Sequence, residues 1–597
     1  MSITSQRTRQ RRHKAALGLC LAAGTLWGMA DASCALSKKA VAPAPSRVVF
    51  PPAPLLRHDA VYSASRSVTG LLRAPDGALW VATNGGVLCR SSQGVWRKWT
   101  RLEGLPSHEA LGLSLNQGRV EVEFPGSTAV WDGKRWVTRV VALPSARPLA
   151  AATWRGALYT STPEGLQCEG RPLALPPSSG THVSALLPTP EELWAALYGD
   201  GLWSWNGTWQ QGPPVPYTAR DITALAGTPQ DLWLGTRRHG VWHWDGRAWS
   251  SHIQPDEPFN ANVQYIAHWN NVDWVATLED GLAARTGTSG KGGETWLHWG
   301  REQLSSDAVR NLVPFQNALY VRHGGGQVDA LSAVGWQRNV FATLPRHKVQ
   351  SLASDGQQLY AAQWGGWSQW DGTSVGSAPR WQHHLTESAL NNAPIMALLP
   401  QGKTLWIATQ DRGVIGWENG QWRTVDERAG LPDDWVTALA TLAPTQKQIE
   451  STAPLLAGTF VGGLAQCDAG KCEAAPELRG QNVTALQNDG RGGAFIATRQ
   501  GLWYRADDAG LHRLQIAWLD SEVQALCRVS GGLWVGTRTS LNFVTDATLS
   551  QAMGAESPAA SPVPQASALP STRPTPIALT TPAATAPATA PSSSAKQ

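Results

Sequence analysis

The chain has 597 residues, 31 tryptophans, seven cysteines and a formal net charge of +5. Five basic residues and Asp31 fall in an N-terminal export signal, so the mature charge drops to about +1 and excludes a nucleic-acid partner recruited by bulk charge. The cysteines are too few and too scattered for a disulfide framework, and no later apolar run approaches the roughly 18–20 residues that cross a bilayer.

In chain order, a basic stretch (Arg7, Arg9, Arg11, Arg12, Lys14), an apolar stretch from Ala15 to Met29 and the small residues Ala30-Asp31-Ala32 predict a signal peptide over residues 1–32 and a periplasmic or secreted mature protein. Arg11-Arg12 lacks the aromatic or leucine usual soon after a twin-arginine pair, which favours general secretion. Asp31 argues against Cys34 as a lipid acceptor. A proline-containing leader occupies 33–58.

A repeat follows. Leu79-Trp80-Val81-Ala82-Thr83 returns as Leu232 to Thr236, Leu405 to Thr409 and Leu533 to Thr537, and weaker copies bring the count to twelve units spaced 35 to 50 residues apart. That period is expected of four-stranded propeller blades. In the best-preserved unit Ile222-Thr223-Ala224-Leu225 reads as the innermost strand, Leu232 to Thr236 as the second and Gly240 to Trp244 as the third. Asp245-Gly246 then predicts a type I′ hairpin turn, which needs positive φ at both central positions. Equivalent turns are expected at Asp132-Gly133, Asn206-Gly207, Asp371-Gly372 and Asn419-Gly420. A tryptophan soon afterwards (Trp136, Trp209, Trp249, Trp422) marks the outermost strand, and most tryptophans are read as packing between blades.

The expected fold is therefore all-β: about twelve four-stranded blades in two six- or seven-bladed rings, with one large ring as the alternative. Six plus six places the first propeller at 59–306 and the second at 307–546, with the glycine-rich stretch Thr286 to Glu294 before a boundary near Asp307. The last unit supplies only three strands, ending at Leu541 to Val544, and Ala60-Val61-Tyr62-Ser63 is the expected donor of its fourth. Cys467 and Cys472 flank a hairpin turn and could bridge across it in an oxidising compartment, or remain two small unpaired residues. Residues 547–597, rich in Ala, Pro, Ser and Thr, are expected to be a disordered tail.

Ala224-Leu225, Leu232 to Thr236, Gly240-Val241, and Ala525-Leu526 with Leu533 to Thr537, resemble the blade signature of the two-component regulator propeller repeats. The resemblance covers about residues 60 to 545 and is weakest in the second, third and seventh units. It implies an exported ligand-sensing propeller of the kind that precedes a histidine kinase in bacterial receptors. This chain shows no kinase signature after its last blade, so the resemblance implies a sensor acting through a separate membrane histidine kinase or envelope protein. An envelope interaction scaffold and a glycan-active enzyme are the other two readings.

Loops between second and third strands all emerge at one end of a propeller, and variable loops on a fixed scaffold carry binding. Asn84, Tyr198, Arg237, Trp364, Arg499 and Arg538 occupy this position, with Arg238, His239 and Arg412 beside them; these nine are the candidate ligand-binding residues. Trp364 stands out because it follows its second strand where other repeats carry a loop residue. Arginine clamps carboxylates or sulfates through paired hydrogen bonds, which suggests an acidic saccharide or another small anion. Asp200, Glu279, Asp280 and Asp411 sit in glycine-bounded loops where turn chemistry explains acids. His383-His384 lacks a third ligand at metal spacing. The chain is thus read as a binding module, with no catalytic residues, metal or cofactor.

Overall fold

The structure, a computed structural model, describes residues 60–141, 150–176, 182–252, 262–286, 295–346, 348–370, 380–385, 389–442, 453–468, 470–506 and 510–554. The expected signal peptide, the leader, Cys34, Asp371-Gly372 and most of Thr286 to Glu294 lie outside the described residues.

Twelve four-stranded antiparallel sheets are present, one per repeat, and they confirm the all-β propeller reading. We number the blades along the chain: 1 (68–99), 2 (112–140), 3 (151–173), 4 (183–211), 5 (222–251), 6 (263–299), 7 (309–337), 8 (351–385), 9 (395–425), 10 (436–474), 11 (483–513) and 12 (523–545). Blade 12 takes its outermost strand from Ala60–Ser63, paired Ala60 to Phe543 and Ser63 to Ser540 as the sequence suggested.

The repeat phrase has a physical reason at each letter. In most blades the second strand, such as Leu79–Thr83, is buried along nearly its whole length because neighbouring blades cover both faces, so it reads as a continuous apolar run, whereas in blades 2 and 3 (Arg119–Phe124, Ala157–Thr162) burial alternates. The terminal threonines Thr83, Thr236, Thr277, Thr409, Thr459 and Thr498 are fully buried. Each donates its hydroxyl to the glycine carbonyl that opens the third strand, at 2.8–3.0 Å. The glycine before the threonine is needed because a neighbouring first strand presses on it. A Cβ at Gly235 would collide with Val68, one at Gly458 with Val483 and one at Gly536 with Val263.

Those collisions, together with buried side-chain clusters, give the order of the blades. Blade 5 packs on blade 1 through Val68, Val81, Ala224 and Trp233, and Thr223 Oγ1 donates to Val68 O at 2.6 Å. Blade 12 packs on blade 6 through Val263, Ile266, Ala525 and Trp534, and Trp534 Nε1 donates to Asp273 at 3.0 Å. Blades 6 to 12 therefore close a seven-bladed ring, and blades 1 to 5 form a separate five-bladed array in the spatial order 3-4-5-1-2.

This corrects the six-plus-six division at 59–306 and 307–546. The boundary falls between Ser251 and Val263, so Asp307 lies inside the ring, between blades 6 and 7. The reason is the closing strand: Ala60–Ser63 belongs to the ring, and the whole five-bladed array is inserted between that strand and blade 6. The two bodies thus share one chain order but not one boundary.

Two smaller expectations are also corrected. Among the expected hairpin turns within the described residues, only Asn419-Gly420 has positive φ at both positions. At Asp132 and Asp245 the carboxylate accepts two backbone amides each, at 2.8 Å, which stabilises a four-residue loop in which the aspartate keeps negative φ. At Asn206 the loop has three residues, between the paired Trp205 and Trp209. The tail expected to be disordered from 547 begins with a helix, Asp546–Ala552, capped by the Thr545 hydroxyl, with Leu549 buried against blades 11 and 12. Arg528 holds its first turn through Asp546 at 2.6 Å. Cys467 and Cys472 are joined across the outer hairpin of blade 10.

Candidate functional site

The array and the ring meet at a polar crevice of about 240 Å³. The array contributes Asn84 from blade 1, Arg237 and Arg238 from blade 5, and His108 and Glu109 from the segment before blade 2. The ring contributes Asn262 and Glu279 from blade 6, and Arg538 and Thr539 from blade 12. Ala64 and Ser67, on the chain that runs from the closing strand into blade 1, line its side.

The threonine device that builds each blade also aims these side chains. Thr236 Oγ1 accepts from His239 N at 2.9 Å while donating to Gly240 O, which fixes the corner carrying Arg237 and Arg238. Thr277 fixes Glu279 in the same way, through Asp280 N at 3.0 Å. Asn84 Nδ2 donates to Ser67 Oγ at 2.9 Å, tying blade 1 to the crossing chain.

Opposite charges stitch the two bodies together around the crevice. Arg238 lies 3.7 Å from Asp221 in the array and 3.8 Å from Asp307 in the ring. Arg101 donates to Leu519 O at 3.4 Å, another contact from array to ring. Arg538 stands 4.0 Å from Glu522, which is also 3.4 Å from Arg499. Burial holds His108 below the ordinary histidine pKa, the Asp520 carboxylate pulling partly the other way, and its Nδ1 has no hydrogen-bond partner. From Asn262 a polar chain enters the ring: Gln264 Nε2 donates to Asn262 and to Gln524 at 2.8 Å each, and Arg310 donates to Gln264 at 2.5 Å.

Of the nine residues singled out in the sequence, the crevice collects Asn84, Arg237, Arg238 and Arg538. His239 stands just behind it, 3.5 Å from Asp221, and Arg499 sits beyond the rim on Glu522. Tyr198, Trp364 and Arg412 are elsewhere: Tyr198 packs edge-on to His182 in blade 4, Trp364 is in the blade 8 loop and Arg412 is in that of blade 9. The sequence offered no handle on His108, Glu109 or Asn262, which occupy links between blades, outside the repeat. Glu279 drew notice only as an acid in a turn.

The acids weighed for catalysis divide between blades 4, 6 and 9. Asp200 accepts from Trp203 Nε1 at 3.0 Å, and Asp280 is buried beside His298. His384 stacks on Trp367 at 4.0 Å, while His383 is exposed with its Nδ1 2.8 Å from Ser368 Oγ. Among the described residues no cluster of three or more metal-ligating side chains occurs. No helix among them is long and apolar enough to cross a membrane.

No protein-family model matches the chain, and no curated protein matches it by sequence. Among solved structures it is similar to an extracellular domain attributed to a hybrid two-component system of B. thetaiotaomicron, at 13% identity and a TM-score of 0.39, over 80% of this chain and 70% of that one. PorZ, a bacterial surface component of the type-IX secretion system of Porphyromonas gingivalis, matches at 12% identity and a TM-score of 0.46, over 83% of this chain and 88% of its own. A GH74 xyloglucanase from Xanthomonas campestris matches at 13% and 0.41, over 81% and 83%. The propeller assignment rests on the twelve sheets themselves.

Proposed function

We propose that this is an exported ligand-binding propeller that takes a small anionic ligand in the crevice between its two bodies. The observation that carries the proposal is convergence: Asn84, Arg237, Arg238 and Arg538, far apart in sequence, line one polar cavity. The acid partners of Arg238 and Arg538 stand 3.7–4.0 Å away, beyond the roughly 2.7–2.9 Å of a hydrogen-bonded ion pair, so guanidinium donors remain for a ligand oxygen. Glu109 and Glu279 on the same lining can accept from hydroxyls. One acid group beside hydroxyls is the pattern of an acidic saccharide. The volume, about 240 Å³, falls just under the roughly 300–1,000 Å³ of drug-sized sites, which fits one sugar unit. A ligand held by both bodies would alter how they meet, a signal that a separate membrane histidine kinase or envelope protein could read.

The test is calorimetric titration of the full chain with glucuronate, galacturonate and glucose. Binding of a uronate, weakened at least tenfold in the Arg237→Ala/Arg538→Ala double variant, is expected. Equal affinity in parent and variant, or no uronate binding, would overturn the assignment. Released product from a panel of uronate polymers would instead favour an enzyme. One observation favours the scaffold reading: Leu111, Leu115, Val137, Val140, Val141 and Leu158, all exposed, gather on blades 2 and 3 and their approaches.

A further inference from the structure

Blade 8 breaks the repeat in a specific way. Where most blades end the second strand with threonine, it carries Gln363, fully buried. Its longer side chain reaches past its own loop: Nε2 donates to Arg346 O at 2.7 Å, and Oε1 accepts from Ser368 Oγ at 2.6 Å. The Ser368 hydroxyl is in turn 2.8 Å from Nδ1 of the exposed His383, so a polar chain running inward from His383 locks the buried Gln363 in place. The substitution therefore fixes Arg346, from the preceding link, beneath the blade 8 loop.

That loop holds Trp364, an indole 53% exposed in a protein whose repeat-phrase tryptophans are buried. Next to it Gly365, at φ +68°, is backed by Arg346 Nη1 and Asn392 Oδ1; an added Cβ would lie 2.9 Å and 2.5 Å from them. Arg346 Nη1 is buried and has no hydrogen-bond partner. Asn391 and Asn392 both adopt left-handed φ, 42° and 58°, between the buried anchors Leu390 and Ala393. Asparagine adopts this region readily, so the turn holds Asn392 in place between its buried anchors.

The geometry points to a saccharide subsite on the ring, separate from the crevice, in which Trp364 is the stacking platform and the exposed Asn392 amide reads a pair of neighbouring hydroxyls, while Arg346 supports the loop from beneath. The indole face takes the apolar face of a pyranose ring. The asparagine amide offers both a donor and an acceptor and carries no charge. Adjacent sugar hydroxyls meet both, and with the Arg346 Nη1 buried no cation faces the ligand to hold a carboxylate. The subsite is thus assigned to a neutral sugar unit, in contrast to the acidic unit proposed for the crevice, and it does not depend on that reading.

The test uses the full chain and a panel of cellohexaose, xylohexaose, mannohexaose, maltohexaose and a hexagalacturonate, followed by tryptophan fluorescence and calorimetry. At least one neutral hexasaccharide is expected to bind, with affinity reduced tenfold or more in Trp364→Ala and in Asn392→Ala, and unchanged in Arg237→Ala/Arg538→Ala. Trp364 is exposed, so its removal leaves the fold intact; an unaltered circular dichroism spectrum checks this. No binding by any neutral hexasaccharide, undiminished binding in Trp364→Ala, or a preference of this subsite for the hexagalacturonate would overturn the assignment.

Discussion

The seven-bladed ring and the five-bladed array are built from the same repeat, yet they seal differently. In the ring every adjacent pair of blades shares a cluster of buried apolar side chains, including the pair 12 and 6 that closes it. In the array four pairs do so, and among the described residues no such cluster joins blades 2 and 3. The first strands there show the consequence: Gly112–Asn116 is exposed over its second half, whereas Val523–Val529 in blade 12 is largely buried. A blade cannot bury both faces alone and gains stability from each neighbour it touches. The closing strand belongs to the ring, and among the described residues blades 2 and 3 each share a buried apolar cluster with one neighbour only.

The sharpest way to break this comparison is to attack ring closure. Trp534→Ala removes a fully buried indole that bonds Asp273 across the closing interface, and should cost about 3–5 kcal/mol; a urea midpoint unchanged from the parent would count against closure by blade 12. Next, Thr409→Val leaves the Arg412 amide without its hydroxyl acceptor, while the Gly413 carbonyl keeps the backbone amide of residue 409; the expected loss is about 1–3 kcal/mol, read from the same titration. Opening the Cys467–Cys472 bridge by double serine substitution should cost about 2 kcal/mol, since the loop is short. Hydrogen exchange sharpens the contrast without mutation: first-strand amides of blades 2 and 3 should exchange well before those of blades 9 to 12, and equal protection would erase the distinction.

The smallest effect is a pH dependence at the junction. His108 is held neutral by burial, so its folded pKa lies below the unfolded value of about 6.5. As pH falls below that value the unfolded chain binds the proton first, and stability present at neutral pH is lost towards the depressed pKa. His108→Gln should flatten this acid-side decline in melting temperature below about pH 6.5; an identical slope would place the titration elsewhere.

How much was legible follows the same division. Leu-Trp-aliphatic-Gly-Thr announced a blade wherever it was intact, because each letter answers a constraint inside the blade or from its immediate neighbour: burial on both faces, a valine pressing on the glycine, a hydroxyl clamping the loop. The units that matched it least, the second and third, are the ones that flank the unsealed seam. In the seventh, His323 replaces the threonine and is buried with Asp329 at 2.8 Å. The repeat arginines were visible as loop residues, but nothing local distinguished Arg237 and Arg538, which share a crevice, from Arg412, which stands apart.

By itself the sequence determined the four-stranded unit, its twelvefold recurrence and the need for a strand from the front of the chain to complete the last blade, since these depend on side chains a few residues apart. Only the tertiary structure decided that the blades divide five and seven, and which loops face one another. Both outcomes turn on contacts between residues as distant as Val68 and Gly235, or Val263 and Gly536. A blade's sequence records the shape of its neighbour's surface but not which blade supplies it.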